Sequence, residues 1–481
     1  QMAGLQGNHF ALTEAWKVYA QFFWRDLFPE LPEDRVSDLL ERAVQGRVDT
    51  VRELYPPLNS RAYRRLGPYS GLTGLGPHCG IYPGEKSNNL TSTLSHLELD
   101  QASFITGIEQ FIGCPWQNFL NRMLRAEKTE NAEMILPRVQ ANVLGNVVHN
   151  ILEGIVKEQD PNPHIDTLKE KLEYDAFSLS WPQESHLYAL FNQEAQKQLQ
   201  MDKQIWATKS DVIIDIVLPY LQVERELEFS SPKKCLGAEL EGCFFVHANA
   251  EGGRPVDSGS DRLNIWSSSQ EHIRIRGLFK ADRVDRSGDV LQMLDYKTGS
   301  VLSTKKKEAD RAKEFRSSIT KGQKLQPLAY AASLPYYQSL YPEIQAAQGI
   351  LVFISPKQDY PQRIFSIDSN DEEELSLLAR AVWTSGVAKI IGVHLPRLVR
   401  TKSKRDRLGP DHFQGNRWCT NCDYQSACRI GDTAFRRRLI TVCEESNQEE
   451  VAEALPGNVS ERLQEWTSFL IGKVWRIGRG S

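Results

Sequence analysis

Asp295 and Lys297 lie two residues apart in VLQMLDYKTGS, residues 290–300, and side chains at i and i+2 of a strand share one face. A carboxylate and an ammonium so placed form either a surface ion pair or the working edge of a catalytic site. Just upstream, HIRIRGLFKADRVD alternates apolar and polar residues and runs into the turn residues Ser287, Gly288 and Asp289, so residues 272–298 read as a hairpin. A turn centred on residues 288–289 puts Asp282 opposite Asp295, with Cβ atoms roughly 5 Å apart. Two carboxylates at that separation repel unless a cation lies between them. Mg²⁺ or Mn²⁺ suits the position, being hard and bound by oxygen. Lys297 shares the face, and a metal held by two carboxylates beside one lysine suits phosphodiester hydrolysis: the metal polarises a phosphoryl oxygen and activates water, and the ammonium offsets transition-state charge.

The eight cysteines offer a second chemistry. WCTNCDYQSAC supplies Cys419, Cys422 and Cys428 with C-x2-C-x5-C spacing, three thiolates where tetrahedral zinc or an iron–sulfur cluster requires four. Cys114, in FIGCPWQNFLNRML, is a candidate fourth that spacing alone cannot select. Cys79, Cys235, Cys243 and Cys443 read as small buried hydrophobes.

The elements that must position these groups are legible in outline. Apolar residues recur at helical spacing over 12–28 and again over 36–44, so residues 1–66 form an expected helical N-terminal unit. A Gly/Pro-rich linker follows at 67–99. Helices are expected over about 103–125 and 138–157, within a segment 100–157 that carries Cys114 and His149. Residues 158–265 mix a helical pattern at 185–205 with a polar, Gly-rich loop, and read as an insertion. The core, 266–435, holds the hairpin, a helix near 323–335, strands at 348–355 and near 363–367, a helix over 371–391 and the cysteine-rich tail; 436–481 is an expected helical extension.

GLFKADRVDRSGDVLQMLDYKTG resembles the paired motif of the PD-(D/E)XK nuclease superfamily, and within it the RecB-type nucleases: an acidic residue in a G…DRxD strand, then DYKTG. The Gly277 to Asp282 spacing is longer than that family's usual G-x-x-D. LGNVVHNILE resembles its upstream G-x-x-x-H helix and KLQPLAYAASL its downstream Q-x-x-x-Y helix. The resemblance implies an α/β fold with a mixed sheet flanked by helices. It implies His149, Asp282, Asp295 and the Tyr296 carbonyl as metal ligands, Lys297 as catalytic, and Gln326 and Tyr330 at the site. The C-P-[aromatic]-x-x-F-L segment paired with the C-x2-C-x5-C tail is similar to the iron–sulfur staple of the AddB-like branch. That likeness implies a structural [4Fe–4S] cluster on Cys114, Cys419, Cys422 and Cys428, with Zn²⁺ in the same site as the rival.

A net charge of −4 gives no general pull toward polyanions, so contact with nucleic acid must rest on local patches. Residues 302–324 carry eight Lys/Arg against three acids, and 396–408 six against one. Neither a signal peptide nor an apolar run long enough to span a bilayer is visible, so a cytoplasmic location and no membrane partner are expected. No G-x-x-x-x-G-K-[ST] motif occurs: GEKS at 84–87 and IGKV at 471–474 both fail the pattern. The expected activity is a divalent-metal-dependent deoxyribonuclease acting on DNA, single-stranded by resemblance, in end processing for recombination and repair beside an ATP-driven helicase subunit. The competing expectations are a non-catalytic DNA-binding scaffold that keeps the fold, and a zinc-stapled nucleic-acid binder.

Overall fold

The structure is a computed structural model. It describes residues 103–126, 141–199, 214–226, 234–249, 252–257, 273–299, most of 302–396, and six positions between 422 and 439. The N-terminal unit, the linker, almost all of the 436–481 extension and of the basic stretch 396–408, and Cys79, Cys419 and Cys443 lie outside the described residues.

One mixed sheet organises the rest. Its strands are β1 (Ser103–Phe104), β2 (Phe177–Ser178), β3 (Lys234–Ala248), β4 (Gly253–Val256), β5 (Ile273–Ser287), β6 (Val290–Lys297), β7 (Ala346–Phe353) and β8 (Ile364–Asp368). They run in the order β2-β3-β5-β6-β7-β8, with β4 on β3 and β1 on β5. β1/β5 and β6/β7 are parallel and the other pairs antiparallel. Lys234–Ala248, inside the stretch expected to be an insertion, pairs with β5 from Arg286 to Ile273 and is therefore part of the sheet.

Helices cover both faces, as strands buried on both sides require. On one face pack α1 (Ile105–Gly113), α4 (Glu308–Thr320), α5 (Gln326–Ala331) and α7 (Glu372–Ile391), against Leu291, Met293, Leu351 and Phe353. On the other pack α2 (Ala141–Lys157), α3 (Glu184–Leu199) and the helix over 214–226, against Leu294, Tyr296, Ile350 and Val352. The alternation of the two residue sets along β6 and β7 is the period-2 rule of a strand.

The helix expected over 103–125 is broken. α1 stops at Gly113, Cys114 is extended at φ −159° and ψ 103°, and a new turn starts at Pro115. Proline lacks the N–H that would continue a helix and pushes the residue before it out of the helical region. The helix expected near 323–335 likewise divides into α5 and α6 (Leu334–Leu340), each with a proline in its first turn. Residues 308–320 of the basic stretch form a helix, α4, anchored by buried Arg311, Phe315 and Ile319.

Candidate active site

β5 and β6 pair from Ser287↔Val290 to Arg283↔Leu294 and then part. Beyond the fork, β5 takes a different neighbour, with Gly277 and Leu278 pairing β1. Asp282 stands at the parting, in the register that faces Asp295, as the turn at residues 288–289 requires. Its Oδ2 accepts the Tyr296 N–H at 2.6 Å, so the carboxylate takes up a backbone donor at the point where the ladder opens. The Nδ1 of His149 lies 3.2 Å from the same oxygen.

α2 lies close to the end of β6 at Gly145. An ideal Cβ on Gly145 would lie 3.1 Å from Thr298 Oγ1, and the G-x-x-x-H spacing sets His149 one turn further on. The imidazole stands edge-on to the Tyr296 ring, 6.4 Å between centroids. Burial works against the imidazolium, but Asp282 and Asp295 outweigh it, so His149 holds its proton above the usual histidine range.

Asp295 and Lys297 continue the Leu291 and Met293 face of β6, which α5 covers. Lys297 Nζ is 2.5 Å from Asp295 Oδ2 and donates to Gln326 Oε1 at 3.0 Å. Asp295 is 2% exposed, and its Oδ2 lies beside the ammonium without a hydrogen bond of acceptable angle. Burial raises the Asp295 carboxyl against the pull of Lys297. Burial also disfavours the Lys297 charge, yet the Asp295 carboxylate beside it prevails and Lys297 is raised.

Tyr330 does not reach the carboxylates. Its ring packs edge-on against Phe279, and its hydroxyl donates to the Lys280 carbonyl at 3.0 Å, bracing α5 against β5 two residues before Asp282. Burial raises its phenol well above the ordinary range and keeps it a donor.

Three groups at the site escaped the sequence reading. Glu109, on α1, accepts the Leu325 N–H, and burial raises its carboxyl while Lys297 pulls it down. Its signal was a lone carboxylate on the apolar face of Ile105, Ile108 and Ile112. Glu239 pairs Lys280 at 2.7 Å from a left-handed backbone (φ 57°) in β3. Glu224 accepts the Tyr296 hydroxyl at 2.8 Å and Arg283 Nη1 at 3.3 Å.

The profile of the PD-(D/E)XK nuclease superfamily matches residues 105–429. The chain belongs to that superfamily. A search of curated proteins found no match. PD-(D/E)XK proteins are mostly metal-dependent nucleases, and Mg²⁺ or Mn²⁺ is their usual metal. The donor types at the fork, two carboxylates and an imidazole with one buried carboxylate oxygen lacking a hydrogen bond, suit such an ion. As they stand among the described residues, no three His, Cys, Asp or Glu side chains are gathered closely enough to hold a metal. Asp282 is engaged instead by Tyr296 and His149.

The cysteine-rich tail returns to the segment after Cys114. Cys422 packs against the buried cluster of Phe119, Leu120 and Tyr424. The Tyr424 hydroxyl donates to the Ala126 carbonyl at 3.1 Å and lies 3.4 Å from Asn121 Oδ1. Cys114, Cys422 and Cys428 are all half-buried, whereas Cys235 and Cys243 are buried in β3. Among the described residues no helix is long and apolar enough to cross a membrane.

Proposed function

We propose that this PD-(D/E)XK chain is a RecB-type nuclease of the AddB-like branch that hydrolyses phosphodiester bonds of single-stranded DNA during end processing in recombination and repair. The observation that carries this reading is the fork: Asp282 held by the Tyr296 N–H on one side, and the Asp295–Lys297–Gln326 chain on the other. His149, Asp282, Asp295 and the Tyr296 carbonyl are the ligands for Mg²⁺ or Mn²⁺. When bound, the ion polarises a phosphoryl oxygen and lowers the pKa of a water molecule. Lys297 holds its ammonium against the phosphate and offsets the charge that develops in the transition state. Gln326 fixes the Nζ position, and a misplacement of 1 Å at such a group costs about 10²-fold in rate. Tyr330 acts from behind, by bracing α5.

Phosphates along the strand are contacted by the basic segments. Lys305, Lys306 and Lys307 are exposed ahead of α4, and Arg311 Nη1 donates to the Lys306 carbonyl at 2.7 Å, which supports an ordered basic edge over a solvated loop. The stretch 396–408 extends it. Cys114, Cys419, Cys422 and Cys428 hold a [4Fe–4S] cluster, with Zn²⁺ as the alternative occupant, and the docking of Tyr424 beside Asn121 supports a staple between the two ends of the nuclease domain. An ATP-driven helicase subunit in the cytoplasm feeds the strand.

The test is cleavage of end-labelled single-stranded DNA, double-stranded DNA and RNA of one sequence, with Mg²⁺ or Mn²⁺. Cleavage of the single-stranded DNA ahead of the other two is expected. Preferential cleavage of RNA, or none of any substrate with either ion, would refute the proposal.

A further inference from the structure

Glu109 is a half-buried carboxylate on a helix face otherwise made of the buried Ile105, Ile108, Phe111 and Ile112, where a polar group without a partner would be costly. Its Oε1 accepts the backbone N–H of Leu325, which caps α5 and has no side-chain cap of its own. The turn leading into Leu325 is unusual. Gly322 and Lys324 both have left-handed backbone, at φ 69° and 58°, a conformation that disfavours lysine. An ideal Cβ on Gly322 would lie 2.3 Å from Ile112 Cγ2, so the turn is pressed against α1 three residues ahead of the Glu109 bond. The residue after Leu325 is Gln326, whose Oε1 receives Lys297 Nζ at 3.0 Å.

A continuous set of contacts therefore runs from Glu109 through Leu325 and Gln326 to the ammonium. We propose that Glu109 is a positioning residue for the nuclease reaction: its carboxylate oxygen, as a hydrogen-bond acceptor, fixes the turn that sets Gln326 and, through it, Lys297. The inference rests on the reading of Lys297 as the catalytic lysine. Strained backbone that the surroundings hold in place is common at functional sites. Here the holding group is a side chain from a helix more than two hundred residues away in sequence.

The experiment compares the full chain with its Glu109→Gln, Glu109→Leu and Lys297→Ala variants in cleavage of labelled DNA, with thermal midpoints measured in parallel. Glutamine keeps an acceptor oxygen. Leucine suits the apolar face, so the fold is retained, but it leaves Leu325 N–H without its acceptor. The expected result is a fall of about 10²-fold in kcat for Glu109→Leu, with KM for DNA unchanged and the midpoint near that of the parent. Glu109→Gln should recover most of the rate. A carboxylate serving stability alone would shift the midpoint and leave kcat intact. Parental kcat in Glu109→Leu beside an inactive Lys297→Ala would overturn the positioning role and leave the site reading standing, and so would a Gln variant as slow as the Leu variant. A fully active Lys297→Ala would overturn the site reading and this inference with it.

Discussion

Arg283→Leu should be among the most damaging single substitutions in the sheet. Arg283 is 2% exposed, Asp285 0% and Glu224 4%. The guanidinium donates from Nε to Asp285 Oδ1 at 2.7 Å and from Nη1 to Glu224 Oε1 at 3.3 Å. The Tyr296 hydroxyl completes the group at Glu224. This network lies on the face of β5 and β6 opposite Asp295, directly behind the fork. Removing Arg283 takes the countercharge from two buried carboxylates, and breaking a buried pair in this way costs about 3–5 kcal/mol. Against a typical total of about 5–15 kcal/mol that is a large fraction, and it lowers the melting temperature by on the order of 10 °C. Arg283→Lys keeps the charge without the two-pronged fork and should fall between. The assay is guanidinium-chloride unfolding followed by tryptophan fluorescence, with Arg283→Leu/Asp285→Asn/Glu224→Gln as the compensated variant, which should regain part of the loss. An Arg283→Leu protein within about 1 kcal/mol of the parent would refute the reasoning.

His394 is fully buried and stacked on Phe119, 4.7 Å between centroids, and burial with the nearby Lys389 charge pushes it down to about 4. Between the ordinary 6.5 and about 4 the unfolded chain binds a proton that the folded chain does not. Stability should therefore be complete above the upper value and fall by on the order of 3 kcal/mol as pH drops through that window, a dependence that His394→Phe should remove in pH-resolved urea melts. Replacing Lys305, Lys306 and Lys307 by Ala should weaken DNA binding alike for all sequences and flatten its salt dependence, by up to about one unit of slope per lost phosphate contact in a fluorescence-anisotropy titration. Cys114→Ala should lose iron and stability together while Cys243→Ala retains both, as read by metal analysis of anaerobically purified protein. One zinc per chain in place of iron would keep the staple and replace the cluster.

The hairpin was legible because alternation and turn chemistry agree over HIRIRGLFKADRVD and Gly288–Asp289, and that agreement alone fixed Asp282 against Asp295. β3 was not, because it is buried on both faces and its Gly237, Glu239, Gly242 and a bulge between Cys235 and Gly237 erase the alternation. α4 was hidden in a charge run whose buried Arg311, Phe315 and Ile319 recur every four residues. Local spacing identified Lys297 and Gln326, whereas their contact depends on how α5 crosses the sheet. Glu109 and Glu224 belong to the same class: their partners at Leu325, Arg283 and Tyr296 are far away in sequence. Tyr330 shows the reverse, a motif residue whose hydroxyl reaches the Lys280 carbonyl and not the carboxylates.

The central claim is that the fork of β5 and β6 is a metal-dependent phosphodiesterase site. Single-turnover cleavage of labelled single-stranded DNA in Mg²⁺, by the parent and by Asp295→Ala with its fold verified by circular dichroism, tests it most directly. The account predicts cleavage by the parent that stops on chelation, and no detectable cleavage by the variant. Asp295→Ala cutting at the parental rate would contradict it.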